Sequence, residues 1–141
     1  MPTPFNYRTA SRDCEKFIED LRQLSLLQTS NQSYTEARSV FHVFRNHVAV
    51  QVALDFANAL PAVLRAIFIE DWDISRPIKE FPPTDQLLNE VFAIRRDHNV
   101  SAETAITDVA LALRMNMNPV DFEQMLATLP PQAAAFWRPA N

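Results

Sequence analysis

An all-α fold is predicted for this 141-residue chain, and three observations carry the prediction. The first is a repeated order of features. Leu60-Pro61 and Leu129-Pro130 lie 69 residues apart, and the same offset takes Arg45 to Arg114, Val40 to Val109, Phe56 to Met125 and Phe68 to Trp137. An offset of 70 pairs Phe17, Ile18, Leu21 and Leu24 with Leu87, Leu88, Val91 and Ile94. The extra residue falls in a polar turn, where insertions are tolerated. This pattern predicts two tandem pseudo-symmetric units of about four helices each, several of them short. The second observation is the complete lack of glycine, where average usage gives roughly ten in a chain this long. Tight two-residue hairpins favour glycine, whereas Asn can serve at helix ends, so sheets lose ground to helices. The third is apolar spacing of three and four residues along most of the chain.

The elements follow in order. Residues 1–12 are polar, carry two prolines and read as an irregular arm. Phe17, Ile18, Leu21 and Leu24 predict a helix at about 13–27, followed by a polar turn at 28–33. Ser33-Tyr-Thr-Glu36 matches a capping box, in which hydroxyl and carboxylate satisfy each other's backbone amides, so a second helix is placed from there to about 48. Its inner face is Ala37, Val40, Phe41, Phe44 and Val48. A short helix at about 50–59 presents Leu54, Phe56, Ala57 and Leu60. Pro61 suits the first position of the next helix, 61–69, because it has no amide hydrogen to lose and fixes φ near the helical value. Val63 or Leu64, with Ile67 and Phe68, lines its buried face. A connector at 70–83 holds Pro77, Pro82 and Pro83. The second unit, 84–137, repeats the plan with helices at about 84–97, 102–116, 119–127 and 130–137. Ser101 and Pro119 mark starts, and Asn99 a left-handed end. Residues 13–141 are thus expected to form one helical domain from units 13–69 and 84–137, with Phe44, Leu60, Leu64, Leu113, Leu129 and Phe136 in its core.

Composition excludes several function classes. Without glycine, the dinucleotide and P-loop fingerprints are absent. A net charge of −4 without long blocks disfavours nucleic acid and anionic membrane as partners. No apolar run approaches 18 residues, the length read as a membrane span, and the N-terminus lacks a signal-peptide core. A lone cysteine, Cys14, points to a reduced cytoplasmic setting.

Leu60-Pro61-Ala62-Val63-Leu64-Arg65, then Trp72-Asp73-Ile74-Ser75-Arg76-Pro77, then a helix beginning near Phe81, resembles the bacterial family called domain of unknown function 2267. Its members look like two helical units, each with a Leu-Pro before a short helix, joined by a Trp-containing linker. The resemblance covers about residues 15–137. Here Asp71 precedes the tryptophan where members often have glycine. What the resemblance implies is a small soluble helical protein; it implies no activity.

Candidate sites are few. His42 and His47 sit five apart, about 140° around a helix, whereas a zinc face wants spacings of three or four. They and His98 are expected at the surface or an edge. Glu15, Glu19 and Asp20 read as a solvated face paired with Lys16 and Arg22. Glu70, Asp71 and Asp73 read as a surface loop, without the spacing of a calcium hand. Cys14 reads as an incidental thiol in a mobile region. Arg45 and Arg114 recur at the same helix end. There they either offset that helix's dipole or form an anion or partner site across a pseudo-twofold axis. Trp72, with Arg76 and Phe81 after it, is either a staple between the units or an exposed binding anchor. No catalytic constellation, metal spacing or cofactor fingerprint emerges. The expectation is a binding or scaffold module that associates with protein, most simply as a homodimer. The alternative is an enzyme whose carboxylates or Cys14 meet only in the fold.

Overall fold

In a computed structural model, residues 3–94 and 104–138 are described. Among them are nine helices and no strand: α1 (Phe5–Arg8), α2 (Ala10–Leu24), α3 (Ser30–Arg45), α4 (Val50–Asn58), α5 (Ala62–Ile69), α6 (Thr84–Ile94), α7 (Ala105–Met115), α8 (Pro119–Ala127) and α9 (Pro131–Phe136). The expectations for Asn99, His98 and Ser101 lie outside the described residues. The supposed irregular arm is helical from Phe5, with a break only at Thr9, whose hydroxyl lies within hydrogen-bond distance of Phe5 O and, closer, of the Asp13 carboxylate.

Local chemistry sets the boundaries. Helix α3 opens one turn earlier than the capping box at Ser33 predicts. Thr29 is the cap: its hydroxyl accepts from the Gln32 amide at 3.1 Å, and the Gln32 side chain accepts in return from the Thr29 amide. Ser33 is instead buried and donates to the Ile18 carbonyl at 2.7 Å, tying α3 to α2. Pro61 and Pro130 both sit one position outside their helices, with φ, ψ of −51°, 150° and −54°, 149°. Proline's fixed φ suits that extended cap as well as it suits the first turn. At α8, Asn118 accepts from the amides of Val120 and Asp121, and Pro119 takes the first helical position.

Packing crosses between the halves. Helix α2 lies against α7 as well as α3, and α6 lies against α3, so helices from either side of the 70–83 connector dock on one another. The central pair α3 and α7 also touch. One apolar cluster results, drawn from both halves. At its middle Phe44 meets the rings of Phe56, Phe68, Phe81, Phe136 and Trp137 at centroid distances of 5.0–6.4 Å. Trp137, fully buried, stacks on Phe56 at 4.7 Å, which carries the end of α9 under α3 and α4. The six core positions named from the sequence are all buried. Leu54 is not: it is 38% exposed, because α4 turns that edge to solvent.

Candidate functional site

The C-terminal end of α3 carries the most unusual chemistry. Arg45 is only 7% exposed, yet no carboxylate among the described residues lies within ion-pair distance of it. Its Nη1 donates to the Phe68 carbonyl at 2.7 Å and the Glu70 carbonyl at 2.8 Å. These close α5, whose last carbonyls lack helical partners and carry partial negative charge. The sequence reading placed the arginine on its own helix end; it serves the neighbouring helix. The guanidinium lies 5.4 Å from the Trp72 ring, which meets Phe68 edge-on at 6.2 Å. Burial, and then the Arg38 charge, pull the Arg45 pKa down to about 10. Its Nε is buried with no hydrogen-bond partner. Arg45 lines a pocket of about 20 Å³ together with Trp72, Asp73, Ile74, Arg76 and Ile78.

The structure therefore brings Trp72 and Arg76 together with Arg45. Trp72 is half-buried, with the Arg45 guanidinium over its ring and Phe68 edge-on to it. Phe81 lies elsewhere, against His47 at 5.3 Å and Phe136 at 6.2 Å. Arg114 engages partners of its own: the Trp137 carbonyl at 3.2 Å, the Glu123 carboxylate and the Phe122 ring at 4.9 Å. The two arginines thus hold separate sets of contacts. The connector acids are already engaged. Arg38 binds Glu70 at 2.9 Å and Asp71 at 3.0 Å, while Asp73 accepts from the amide and hydroxyl of Ser75. Glu15 is exposed, and the face beside it carries the expected pairs Lys16–Asp20 and Arg22–Glu19.

Both described histidines are buried, contrary to the surface expectation. His42 Nε2 donates to the Ile67 carbonyl at 3.0 Å, and burial above all pushes its pKa down to about 4, with Arg45 adding to the effect. The ring of His47 sits between the carbonyls of Lys79 and Glu80 and the carboxylate of Glu90, all within 3.2 Å. Cys14 is half-buried on α2 rather than mobile, and its burial, followed by the Glu15 charge, raises the thiol pKa, the reverse of activation.

Sequence reasoning missed the polar ties between helices. The Ser25 hydroxyl lies 2.6 Å from a Glu36 oxygen and 2.7 Å from an Asp108 oxygen, and Thr104 also donates to Asp108. The only signal was Asp108 within the apolar stretch Ala105–Leu113. Asn116 donates to Asp20 at 2.9 Å and receives Lys16 at 3.2 Å. Asn116 also borders an open cleft of about 430 Å³ with Asn58, Leu60, Arg65, Met117 and Asp121. No group of three or more His, Cys, Asp or Glu suited to a metal occurs among the described residues. None of their helices is long and apolar enough to cross a membrane.

The helical architecture, the Leu-Pro breaks and the Trp-bearing connector define a small all-α protein. Residues 14–136 match the family model described as "Uncharacterized conserved protein (DUF2267)", and the chain belongs to that family. No curated protein matches the chain.

Proposed function

We propose that this chain is a non-catalytic binding module, built from a duplicated helical unit, that associates with protein through its connector, a second copy being the first partner expected. One observation carries this reading. Ile74 and Ile78 are 64% and 55% exposed on either side of Arg76, over the pocket that holds Trp72 and Arg45. Trp and Arg in contact with apolar surface are the composition favoured at binding hot spots.

Several correspondences support the duplication. Arg45 and Arg114 each donate to a carbonyl 23 residues ahead. Helices α4 and α8 each have nine residues and start 69 apart. His47 binds Glu90 on α6, and Asn116 binds Asp20 on α2; the offsets 69 and 70 turn one pair into the other. The enzyme alternative draws on the carboxyls that meet at Ser25. Glu36 and Asp108 are buried at 0% and 6% exposure, which suits a tie between helices better than a site open to substrate.

Light scattering at micromolar concentration tests the association. The expected result is a dimer mass that falls to the monomer in Ile74→Asp/Ile78→Asp, both positions being exposed enough to leave folding intact. A monomeric wild type, or a dimer indifferent to both substitutions, removes the connector as the interface.

A further inference from the structure

We propose that His47 is a proton-operated clasp: doubly protonated, it ties the end of α3 to the connector and to α6 at once, and on losing a proton it lets α6 go. The proposal stands apart from the association reading and rests on a count of donors. An imidazole nitrogen donates only when it carries a proton, and a neutral ring has one proton for its two nitrogens. At His47 both nitrogens face acceptors. Nδ1 lies 3.0 Å from the Glu80 carbonyl and 3.2 Å from the Lys79 carbonyl, while Nε2 lies 3.0 and 3.1 Å from the two oxygens of Glu90. A carbonyl has no proton to give, and neither has an ionised carboxylate. Both contacts are therefore bonds only for the imidazolium. In the neutral ring a lone pair meets one set of oxygens.

The surroundings decide which side opens. His47 directly follows the end of α3, its amide donating to the Phe44 carbonyl, and a helix C-terminus favours positive charge. Phe81 lies against the ring at 5.3 Å. Among the described residues, Glu90 on α6 is the acid within ion-pair distance of it. Lys79 and Glu80 turn their carbonyls to the ring while their side chains are exposed. Gln132 of α9, which lines one pocket with His47, is uncharged, and Arg45 on α3 is committed to the α5 carbonyls. The His47 side chain is 2% exposed and that of Glu90 32%. When one proton leaves, Nδ1–H stays with the two carbonyls, which are fixed in the backbone, and the Glu90 carboxylate turns to water. Hydrating a part-exposed carboxylate costs less than holding a lone pair against two fixed oxygens. Asn116 makes the matching tie from the end of α7 to Asp20 on α2 at 2.9 Å, through an amide that needs no added proton. One tie thus follows pH where histidine ordinarily changes charge, roughly pH 5–8, and the other does not. The sign is opposite to that at His42: the closed clasp binds the extra proton, so its stability is present in acid and lost as pH rises.

The test is nitrogen-15 NMR of the histidine rings across roughly pH 5–8, with His47 assigned through His47→Asn, together with amide exchange along α6 and α2. Both ring nitrogens are expected to carry protons at the acid end, Nε2 losing its proton as pH rises while Nδ1 keeps one. Over the same interval exchange at Leu87–Val91, corrected for the intrinsic rate, should quicken several-fold, and exchange around Asp20 should not. Glu90→Gln, of equal size at a part-exposed position, should move the ring titration down by about one pH unit, a tenfold loss in proton affinity. In Glu90→Gln and in His47→Asn the α6 exchange should lose its step in pH. A ring with one protonated nitrogen throughout overturns the proposal, because the clasp never closes. A ring doubly protonated throughout overturns it too, because the clasp never opens. Loss of the Nδ1 proton instead would release the connector and overturn the assignment to α6. A titrating ring with steady α6 exchange would leave His47 without hold on that helix, which also overturns it. The wild-type spectra and exchange decide all four outcomes, whether or not a variant folds.

Discussion

The C-terminal ends of α3 and α7 perform the same task in different surroundings. At each, an arginine donates to a backbone carbonyl at the end of a short helix, α5 or α9, and a residue two places on reaches a carboxylate on α6 or α2. Around α3 the connector returns across the helix end, its Lys79 amide donating to the Asn46 carbonyl at 3.1 Å. His42, Arg45 and His47 are buried there. Around α7, Leu111 and Met115 are 36% and 53% exposed, and Arg114 takes Glu123 as a counter-charge. The backbone bond belongs to the architecture. Cover decides the rest, leaving one arginine without an ion partner among the described residues and giving the other a carboxylate pair.

Four measurements sharpen this contrast. The largest effect is expected from the core itself: Phe44→Ala should cost about 3–5 kcal/mol and Leu113→Ala about 2–5 kcal/mol in urea denaturation. A Leu113→Ala loss below about 0.5 kcal/mol would mean that the second helix end is not integral to the core. Next comes pH. The folded His42 pKa of about 4 lies below the ordinary 6.5, so the unfolded chain binds the extra proton first. Stability from this group is full above pH 6.5 and lost as pH falls toward 4, by as much as about 3 kcal/mol. His42→Leu, the residue at the matching position in α7, should flatten that slope; an unchanged slope would place its origin elsewhere.

The polar ties come third. Double-mutant cycles on His47–Glu90 and Asn116–Asp20 should each return a coupling of about 1–3 kcal/mol, as for hydrogen bonds to charged groups. Coupling at only one would show that the two ties differ in weight despite matching positions. The smallest effect separates two left-handed residues, Leu26 at φ 56° and Asp71 at φ 52°. Asp tolerates this region and Leu does not, so Leu26→Gly should stabilise by about 0.5–1 kcal/mol while Asp71→Gly changes little. Equal responses, read by thermal unfolding, would remove backbone strain as the distinction.

The sequence made the helix breaks legible because proline acts locally: Leu60-Pro61 and Leu129-Pro130 end one helix and start another as the pattern requires. It misplaced the α3 cap because two adjacent candidates, Thr29 with Gln32 and Ser33 with Glu36, satisfy the same spacing. What separates them is the burial of Ser33 against α2, which is a tertiary fact. The histidines were misread for the same reason, since only α5 and the returning connector make their positions interior. Arg45, Trp72 and Arg76 were recognisable as unusual residues. Their meeting was not, because it depends on the path of a loop whose turn at Asp71 has no glycine to announce it. The crossed packing was likewise hidden, for an amphipathic stripe records that it is buried and not against which helix.

That crossing has a consequence for the order in which the protein is made. Helix α2 ends at Leu24, and its docking partner α7 begins at Ala105. At the usual rate of roughly 5–20 residues per second, synthesis separates the two by on the order of 4–16 s. During that interval α3 and α5 can shelter Phe17 and Leu21 only in part, and Ser25 has Glu36 but not yet Asp108. The first half therefore waits on the ribosome with an unfinished core. A chain cut within the connector would carry the same defect into both fragments, each holding the helix that completes the other, so the fragments should regain their structure only when mixed.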